Sequence, residues 1–198
     1  MRFSFLKYFI VVCLFCSFFS CKNQEKEKAK TSAEKIERTE KSYHEKYLEE
    51  IAEIEERDSV STSGMLKIEG GEYMMGGNSQ QARRDEFPQH QETIETIWVD
   101  KTEVTNADFQ KFVKETGYVT TAERSFEING ESFPLGAMVF DAENPQAWWK
   151  FKEGANWKHP QGPESNIKGK EDHPVVQVSW YDAMAYAKWA GKRLPTEA

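Results

Sequence analysis

The sequence predicts an α+β domain with little regular secondary structure. Residues 105–117 and 179–191 each carry a helix start signal and a closing glycine, which is typical of helices. Short apolar runs near residues 65 and 92 indicate strands. Between the helices, residues 118–178 contain many turn signals and few periodic runs, so we expect long loops there.

Composition limits the possible functions. The chain has 198 residues, of which 38% are hydrophobic and 30% charged, which fits one domain with an appendage. A net charge of -7 argues against a nucleic-acid binder, because such a protein needs a basic face. All three cysteines, Cys13, Cys16 and Cys21, precede residue 22. The remaining sequence therefore offers no disulfide, no zinc–cysteine site and no cysteine nucleophile.

The N-terminus has the features of an export signal. Arg2 and Lys7 precede an apolar run over residues 8–19, which is shorter than the roughly 20 residues of a membrane-spanning helix. A small residue and Cys21 close the run. This pattern predicts a bacterial lipoprotein signal peptide over residues 1–20 and lipidation of Cys21. An ordinary secretory signal and an uncleaved anchor are the alternatives. A lipid anchor places the protein in the bacterial cell envelope, on its periplasmic or cell-surface side.

Residues 21–64 are predicted to form a charged tether and linker. Lys and Glu dominate most of the segment, and such a composition buries too little apolar surface to fold. Tyr43, Tyr47 and Ile51 recur every four positions, which permits a weakly associating helix. A coiled-coil interface is the alternative to a tether. The folded part is then expected over residues 65–198.

The first strands are expected to form a hairpin. Residues 65–68 and 73–75 are rich in apolar side chains, and two glycines between them indicate a turn. Residues 92–100 follow as a further strand, although their apolar residues do not alternate strictly.

Both predicted helices have capping signals. Thr105 and Asp108 resemble a capping box, and Gly117 stands where a left-handed C-cap belongs. Ser179 and Asp182 repeat the pattern, and again a glycine follows. The expected buried faces are Phe109, Phe112 and Val113 in the first helix, and Trp180, Ala183, Ala187 and Ala190 in the second.

The C-terminus carries one more start signal. Pro195, Thr196 and Glu197 are typical of a helix entry, and the sequence ends at Ala198. We therefore expect a truncated domain within a longer protein, and a natural frayed tail is the alternative. A partial domain would leave the apolar residues of the second helix without partners, so the isolated chain is expected to aggregate or to be partly molten.

Several motifs follow one another in an order known from one family. They are GGEYMMG at 70–76, WVDKTEVTN at 98–106, FVKETGY at 112–118, WW at 148–149, GANWKHPQGP at 154–163, DHPVVQVSW at 172–180 and AGKRLPTEA at 190–198. Residues 65–198 thereby resemble the N-terminal part of the formylglycine-generating enzyme, or sulfatase-modifying factor, family. Several short motifs at consistent spacing are more specific than any single one.

This resemblance implies a fold distantly similar to C-type lectins and an oxidase acting on protein. Family members use molecular oxygen to convert the cysteine of a Cys-x-Pro-x-Arg segment to formylglycine, so exported sulfatase polypeptides are the expected substrates. In the family a cysteine pair holds copper(I), and calcium ions support the fold. These ligands belong to the C-terminal half of the family pattern, so no catalytic or metal residue is assigned here. The alternative is a non-catalytic scaffold of the same fold, acting as an envelope or secretion interaction lipoprotein.

Trp148, Trp149, Asn156 and Trp157 are the candidate substrate-groove residues. An extended peptide needs a groove with aromatic walls and a few polar contacts. The alternative is that the tryptophans hold a loop-rich fold together, because aromatic side chains bury a large area. The four histidines are too scattered in the sequence to predict a metal site.

Overall fold

A computed structural model of the chain describes residues 43–56, 62–128, 130–143 and 146–198. The predicted signal peptide, Cys21 and most of the predicted tether lie outside these residues, so those assignments stay predictions. Within the described part, no helix has the length and apolar character needed to cross a membrane.

The chain divides into two units. Among the described residues, the smaller one contains residues 43–48 together with Phe126–Phe133, and the larger one contains Glu49–Ser125 and Pro134–Ala198. Residues 43–52 are helical and form α1. Both helices and strands occur among the described residues, which confirms the predicted mixed α+β class.

Two antiparallel ladders begin the larger unit. β1 (Met65–Ile68) pairs with β4 (Ile97–Asp100), and β2 (Gly71–Met75) pairs with β3 (His90–Ile94). The ladders are nested, so β1 and β2 do not pair with each other, and the predicted hairpin between them is wrong. The single strand predicted near residue 92 is in fact two strands.

Gly70 explains the failed hairpin prediction. A Cβ at this position would lie 2.6 Å from the carbonyl oxygen of Ile94 and 2.7 Å from the amide nitrogen of Thr96. The Gly70 amide donates to the Thr96 hydroxyl at 3.1 Å. Glycine here permits close approach of a distant backbone segment rather than chain reversal. Residues 95–96 separate β3 from β4 and shift the alternation of apolar residues. This shift explains the irregular pattern in the sequence.

The two capped helices are confirmed. In α2 (Asn106–Thr116), the Thr105 hydroxyl accepts from the amide of Asp108 at 3.2 Å. Gly117, with φ of 69°, closes this helix in the left-handed region. In α3 (Trp180–Trp189), Ser179 and Asp182 form a complete capping box.

The buried face of α3 matches the predicted one only in part. Ala187 and Ala190 are buried as expected, but Trp180 is 53% exposed. Asp182, Ala185 and Trp189 are buried as well. The helix contains alanine at most turns, so its alanine spacing does not distinguish one face from another. Tertiary partners of Asp182 and Trp189 decide the orientation instead. In α2 the expected Phe109 and Phe112 are buried.

The core gathers aromatic side chains from α2, α3 and the loops between them. Its buried members are Ile51, Phe109, Phe112, Tyr118, Trp157, Ala185, Trp189 and Ala190. Ile51 is 5% exposed although it precedes residue 65. Residues 49–56 therefore belong to the folded unit, which starts earlier in the chain than the sequence indicated.

Residues 118–178 contain more regular structure than expected. A 3₁₀ turn covers Thr121–Glu123. In the smaller unit, β5 (Phe126–Ile128) pairs with β6 (Glu131–Phe133), and the Phe126 and Phe133 rings stack. In the larger unit, β7 (Gly136–Phe140) pairs with β8 (Trp149–Glu153).

Candidate functional site

Trp157 anchors the loop that follows β8, residues 154–163, called here the Trp157 loop. Its side chain is 2% exposed, and its ring meets Phe109 edge to face with 5.4 Å between the centroids. The indole Nε1–H donates to Glu123 Oε2 at 3.3 Å, and Lys158 Nζ lies 5.2 Å from the indole centroid. A ring buried in this way contributes stability through apolar area and a satisfied N–H. The structure thus gives Trp157 an anchoring role, and its proposed place in a groove stays a prediction.

Glu123 joins the 3₁₀ turn to the Trp157 loop. Its carboxylate accepts from the Thr120 hydroxyl at 2.8 Å, the Thr120 amide at 3.2 Å and Lys158 Nζ at 2.8 Å. Burial by itself raises the pKa of this carboxyl, but the bonds from Lys158 and Thr120 outweigh burial and lower the pKa below its ordinary value. Glu123 therefore stays ionised as a fixed acceptor for Trp157.

Asn156 shapes the backbone of the same loop. Its Oδ1 accepts from the amides of Lys158 at 2.9 Å and His159 at 3.1 Å, and its Nδ2 donates to the carbonyl of Gly154 at 3.3 Å. This is the local bonding that asparagine makes in turns. These bonds occupy both ends of its side-chain amide, and peptide binding by Asn156 stays a prediction.

The hairpin of β7 and β8 presents an aromatic face to solvent. Met138 stands opposite Phe151, and Phe140 stands opposite Trp149, so these four side chains share one face, the aromatic ledge. All four are exposed, Trp149 by 61%. The other face carries Val139, which is buried.

Trp148 adjoins the ledge. Its side chain is 57% exposed, and its ring lies edge-on to Phe140 with 6.5 Å between the centroids. The Trp149 ring meets Phe140 at 5.6 Å. The structure thus brings Trp148 and Trp149 together around Phe140 and places Trp157 separately, in the core. An exposed apolar surface of this kind is typical of a binding site.

Sequence reasoning missed the ledge partners Met138, Phe140 and Phe151, and it missed Glu123. A signal was present for β8, because aromatic and lysine residues alternate from Trp149 to Lys152 as on a half-exposed strand. No local signal identified Glu123, since its partner Trp157 lies far along the chain.

No copper or calcium ligand is assigned among the described residues. Copper(I) prefers soft thiolates, and calcium needs several oxygen ligands. The part of the chain that the structure describes contains no group of three or more His, Cys, Asp or Glu side chains arranged to hold a metal ion. The sequence has no cysteine beyond Cys21. No chemical step is therefore derived through a metal at these residues.

A family model described as the sulfatase-modifying factor enzyme 1-like domain matches residues 50–198. The chain belongs to this family. The resemblance seen in the sequence is thereby confirmed. The match begins within the last turn of α1, one residue before the buried Ile51, which agrees with the extent of the folded unit.

Relatives of the chain include proteins named formylglycine-generating enzyme and proteins named as its inactive form. The formylglycine-generating enzyme of Mus musculus is 45% identical over 144 residues, covering 70% of this chain and 39% of the mouse protein. That of Thermomonospora curvata is 48% identical over 141 residues, covering 68% and 46%. The inactive Cα-formylglycine-generating enzyme 2 of Bos taurus is 41% identical over 144 residues, covering 69% and 46%. The chain thus spans less than half the length of these curated relatives.

Proposed function

We propose that the protein is a formylglycine-generating enzyme that activates exported sulfatases. The observation that carries this proposal is the identity of 45% and 48% to two proteins of that name, in a mammal and in a bacterium. The reaction oxidises a cysteine in a Cys-x-Pro-x-Arg segment to formylglycine, with molecular oxygen as the oxidant. One oxygen atom enters the aldehyde, the other forms water, and the cysteine sulfur leaves as hydrogen sulfide. A thiol reductant supplies the two further electrons and two protons that this balance requires. Copper(I) on a cysteine pair supplies the oxygen chemistry in this proposal, and calcium ions and a C-type-lectin-like topology belong to the same expectation.

The role we propose for this part of the chain is peptide binding. The aromatic ledge and Trp148 offer a surface on which an extended peptide can lie, because flat rings contact both backbone and apolar side chains. Asn156 and Trp157 hold the adjoining loop rigid, which keeps β8 in one position. A preordered surface loses less entropy on binding than a mobile one.

The test uses the native protein isolated from the cell that makes it. It is incubated with a Cys-x-Pro-x-Arg peptide, copper(I), a thiol reductant and oxygen, and the peptide mass is followed. We expect sulfur to be replaced by oxygen with loss of two hydrogens, and no change in a peptide whose cysteine is replaced by alanine. An unchanged cysteine peptide under aerobic conditions contradicts the proposal. The 198-residue chain alone is expected to be inactive, because its cysteines all precede residue 22.

The second candidate is a non-catalytic scaffold of the same fold that binds envelope proteins. It is favoured by the relative named inactive, which is 41% identical over 144 residues. The assay separates the two functions. A native protein that binds the peptide without altering its mass supports the scaffold.

We also propose that the protein is lipid-anchored at Cys21 in the bacterial envelope. The support is the apolar run that a small residue and Cys21 close. Labelling with a fatty-acid analogue is expected to mark the protein and to fail for Cys21→Ser. Equal labelling of both proteins contradicts this anchor.

A further inference from the structure

Residues 49–56, called here the strap, join the core of the larger unit through few contacts. Ile51 is buried in the core cluster, and Ile54 packs against that cluster. Lys188 Nζ donates to the carbonyl of Ala52. Ala52, Glu53, Glu55 and Glu56 are exposed. The strap contains only the last turn of α1. A segment with so few buried residues depends for its stability on the contacts that dock it to the core.

The guanidinium of Arg124, which other contacts fix in place, binds the strap. Arg124 donates from Nε and Nη2 to the carbonyl of Val119 at 3.0 and 2.8 Å, and its Cζ lies 5.8 Å from the Tyr118 ring centroid. Its remaining arm, Nη1, donates to Glu50 Oε2 at 2.6 Å. A guanidinium already fixed by other contacts loses little entropy when it binds a carboxylate. The Glu50–Arg124 pair is therefore stronger than an ordinary surface ion pair.

Glu123, the residue that precedes Arg124, contacts the Trp157 loop. Glu123 accepts from Trp157 and Lys158, as described above. The 3₁₀ turn that carries Glu123 is fixed in turn by Asp182, which accepts from the Thr121 amide at 2.9 Å. Two adjacent residues thus bind two different segments, the strap on one side and the Trp157 loop on the other.

We propose that docking of the strap sets the position of the Trp157 loop through Glu123 and Arg124. Release of Glu50 leaves Arg124 held by the Val119 carbonyl and the Tyr118 ring, so the residue next to Glu123 loses one of its contacts. The carboxylate of Glu123 then meets the indole N–H in a less fixed geometry. The strap lies within the segment predicted as the tether, residues 21–64, so a partner that binds the strap reaches the loop by this route. An effect of this coupling on peptide binding at the aromatic ledge rests on the proposed function. The coupling between the strap and the Trp157 loop does not.

The test compares two variants that remove one negative charge each from the strap, in the full chain. Glu50→Gln removes the charge that strengthens the hydrogen bond from Arg124, and Glu53→Gln is the matched control at an exposed position. Amide hydrogen exchange follows residues 49–56 and 154–163, and the Trp157 indole N–H resonance is assigned by its loss in Trp157→Phe. We expect Glu50→Gln to speed exchange in both segments by about five- to tenfold and to shift this resonance. Glu53→Gln is expected to match the wild type.

Three outcomes overturn the coupling. In the first, Glu50→Gln frees the strap but leaves the Trp157 loop and the indole resonance unchanged. In the second, Glu53→Gln has the same effect as Glu50→Gln, which indicates a general effect of charge. In the third, exchange rises equally in α2 and α3, which indicates global destabilisation. None of these readouts depends on enzymatic activity, so failure of the coupling and failure of the proposed function are distinguishable.

Discussion

Trp149 begins β8 and Trp157 follows its end, yet the two side chains have opposite environments. Trp157 has a buried ring, an aromatic neighbour in α2 and a carboxylate for its N–H. Trp149 has an exposed ring that meets Phe140, which is itself exposed. The same residue type therefore anchors the fold at one position and forms a surface at the other. Removing a buried ring costs stability, whereas removing an exposed ring leaves stability nearly unchanged.

The largest expected effect is at the buried site. Trp157→Ala removes a core ring and leaves Glu123 without one donor, so the free energy of unfolding of the native protein should fall by about 3–5 kcal/mol. Trp157→Phe keeps much of the ring and should lose less. Urea denaturation measures both. A loss below about 1 kcal/mol for Trp157→Ala would place this residue in the same class as Trp149.

A smaller effect is expected at the support of the 3₁₀ turn. Asp182 is buried and accepts from the hydroxyl of Tyr118, the amide of Thr121 and the amide of Ser179. Asp182→Ala leaves these donors unsatisfied and should lower the free energy of unfolding by roughly 2–3 kcal/mol. Asp182→Asn, which retains an acceptor oxygen, is the control and should lose less. Equal losses in thermal denaturation would show that the hydrogen bonds to the carboxylate contribute little.

A third prediction concerns pH. The pKa of Glu123 is lowered in the folded protein, so its ionised form stabilises the fold at pH values above its ordinary pKa of 4.5. This stability is lost as pH falls through the lowered pKa. Glu123→Gln should therefore cost about 1 kcal/mol near neutral pH and progressively less as pH falls below 4.5. Denaturation curves of both proteins across this range measure the difference. A difference independent of pH would contradict the role given to the carboxylate.

The smallest effect on stability is expected at the ledge. Replacing both Trp148 and Trp149 by alanine should change the free energy of unfolding by no more than about 0.5 kcal/mol. Under the proposed function, the same change should weaken binding of the Cys-x-Pro-x-Arg peptide. Fluorescence of a labelled peptide and urea denaturation give the two quantities. A loss of stability comparable to that of Trp157→Ala would show that the ledge packs inside the fold.

Local signals in the sequence were reliable, and pairing over long distances was not. The caps at Thr105 and Ser179 were predicted because capping depends on residues three positions apart. The pairing of β1 with β4 was missed because the two glycines at residues 70–71 imitate a turn. Part of the candidate site was anticipated. The sequence analysis named the tryptophans but missed Phe151 in β8 and its neighbours Met138 and Phe140 in β7. The pairing partner of a strand cannot be read from that strand alone.

The sequence by itself determined the two capped helices, the mixed fold class and membership of the sulfatase-modifying factor family, because these depend on neighbouring residues and on the order of motifs. Only the tertiary structure decided which tryptophan is buried, which face of α3 meets the core and that Ile51 belongs to the folded unit. Burial requires partners from remote positions in the chain, and the side chains of Phe109, Glu123 and Arg124 acquire their roles only when folding brings those partners together.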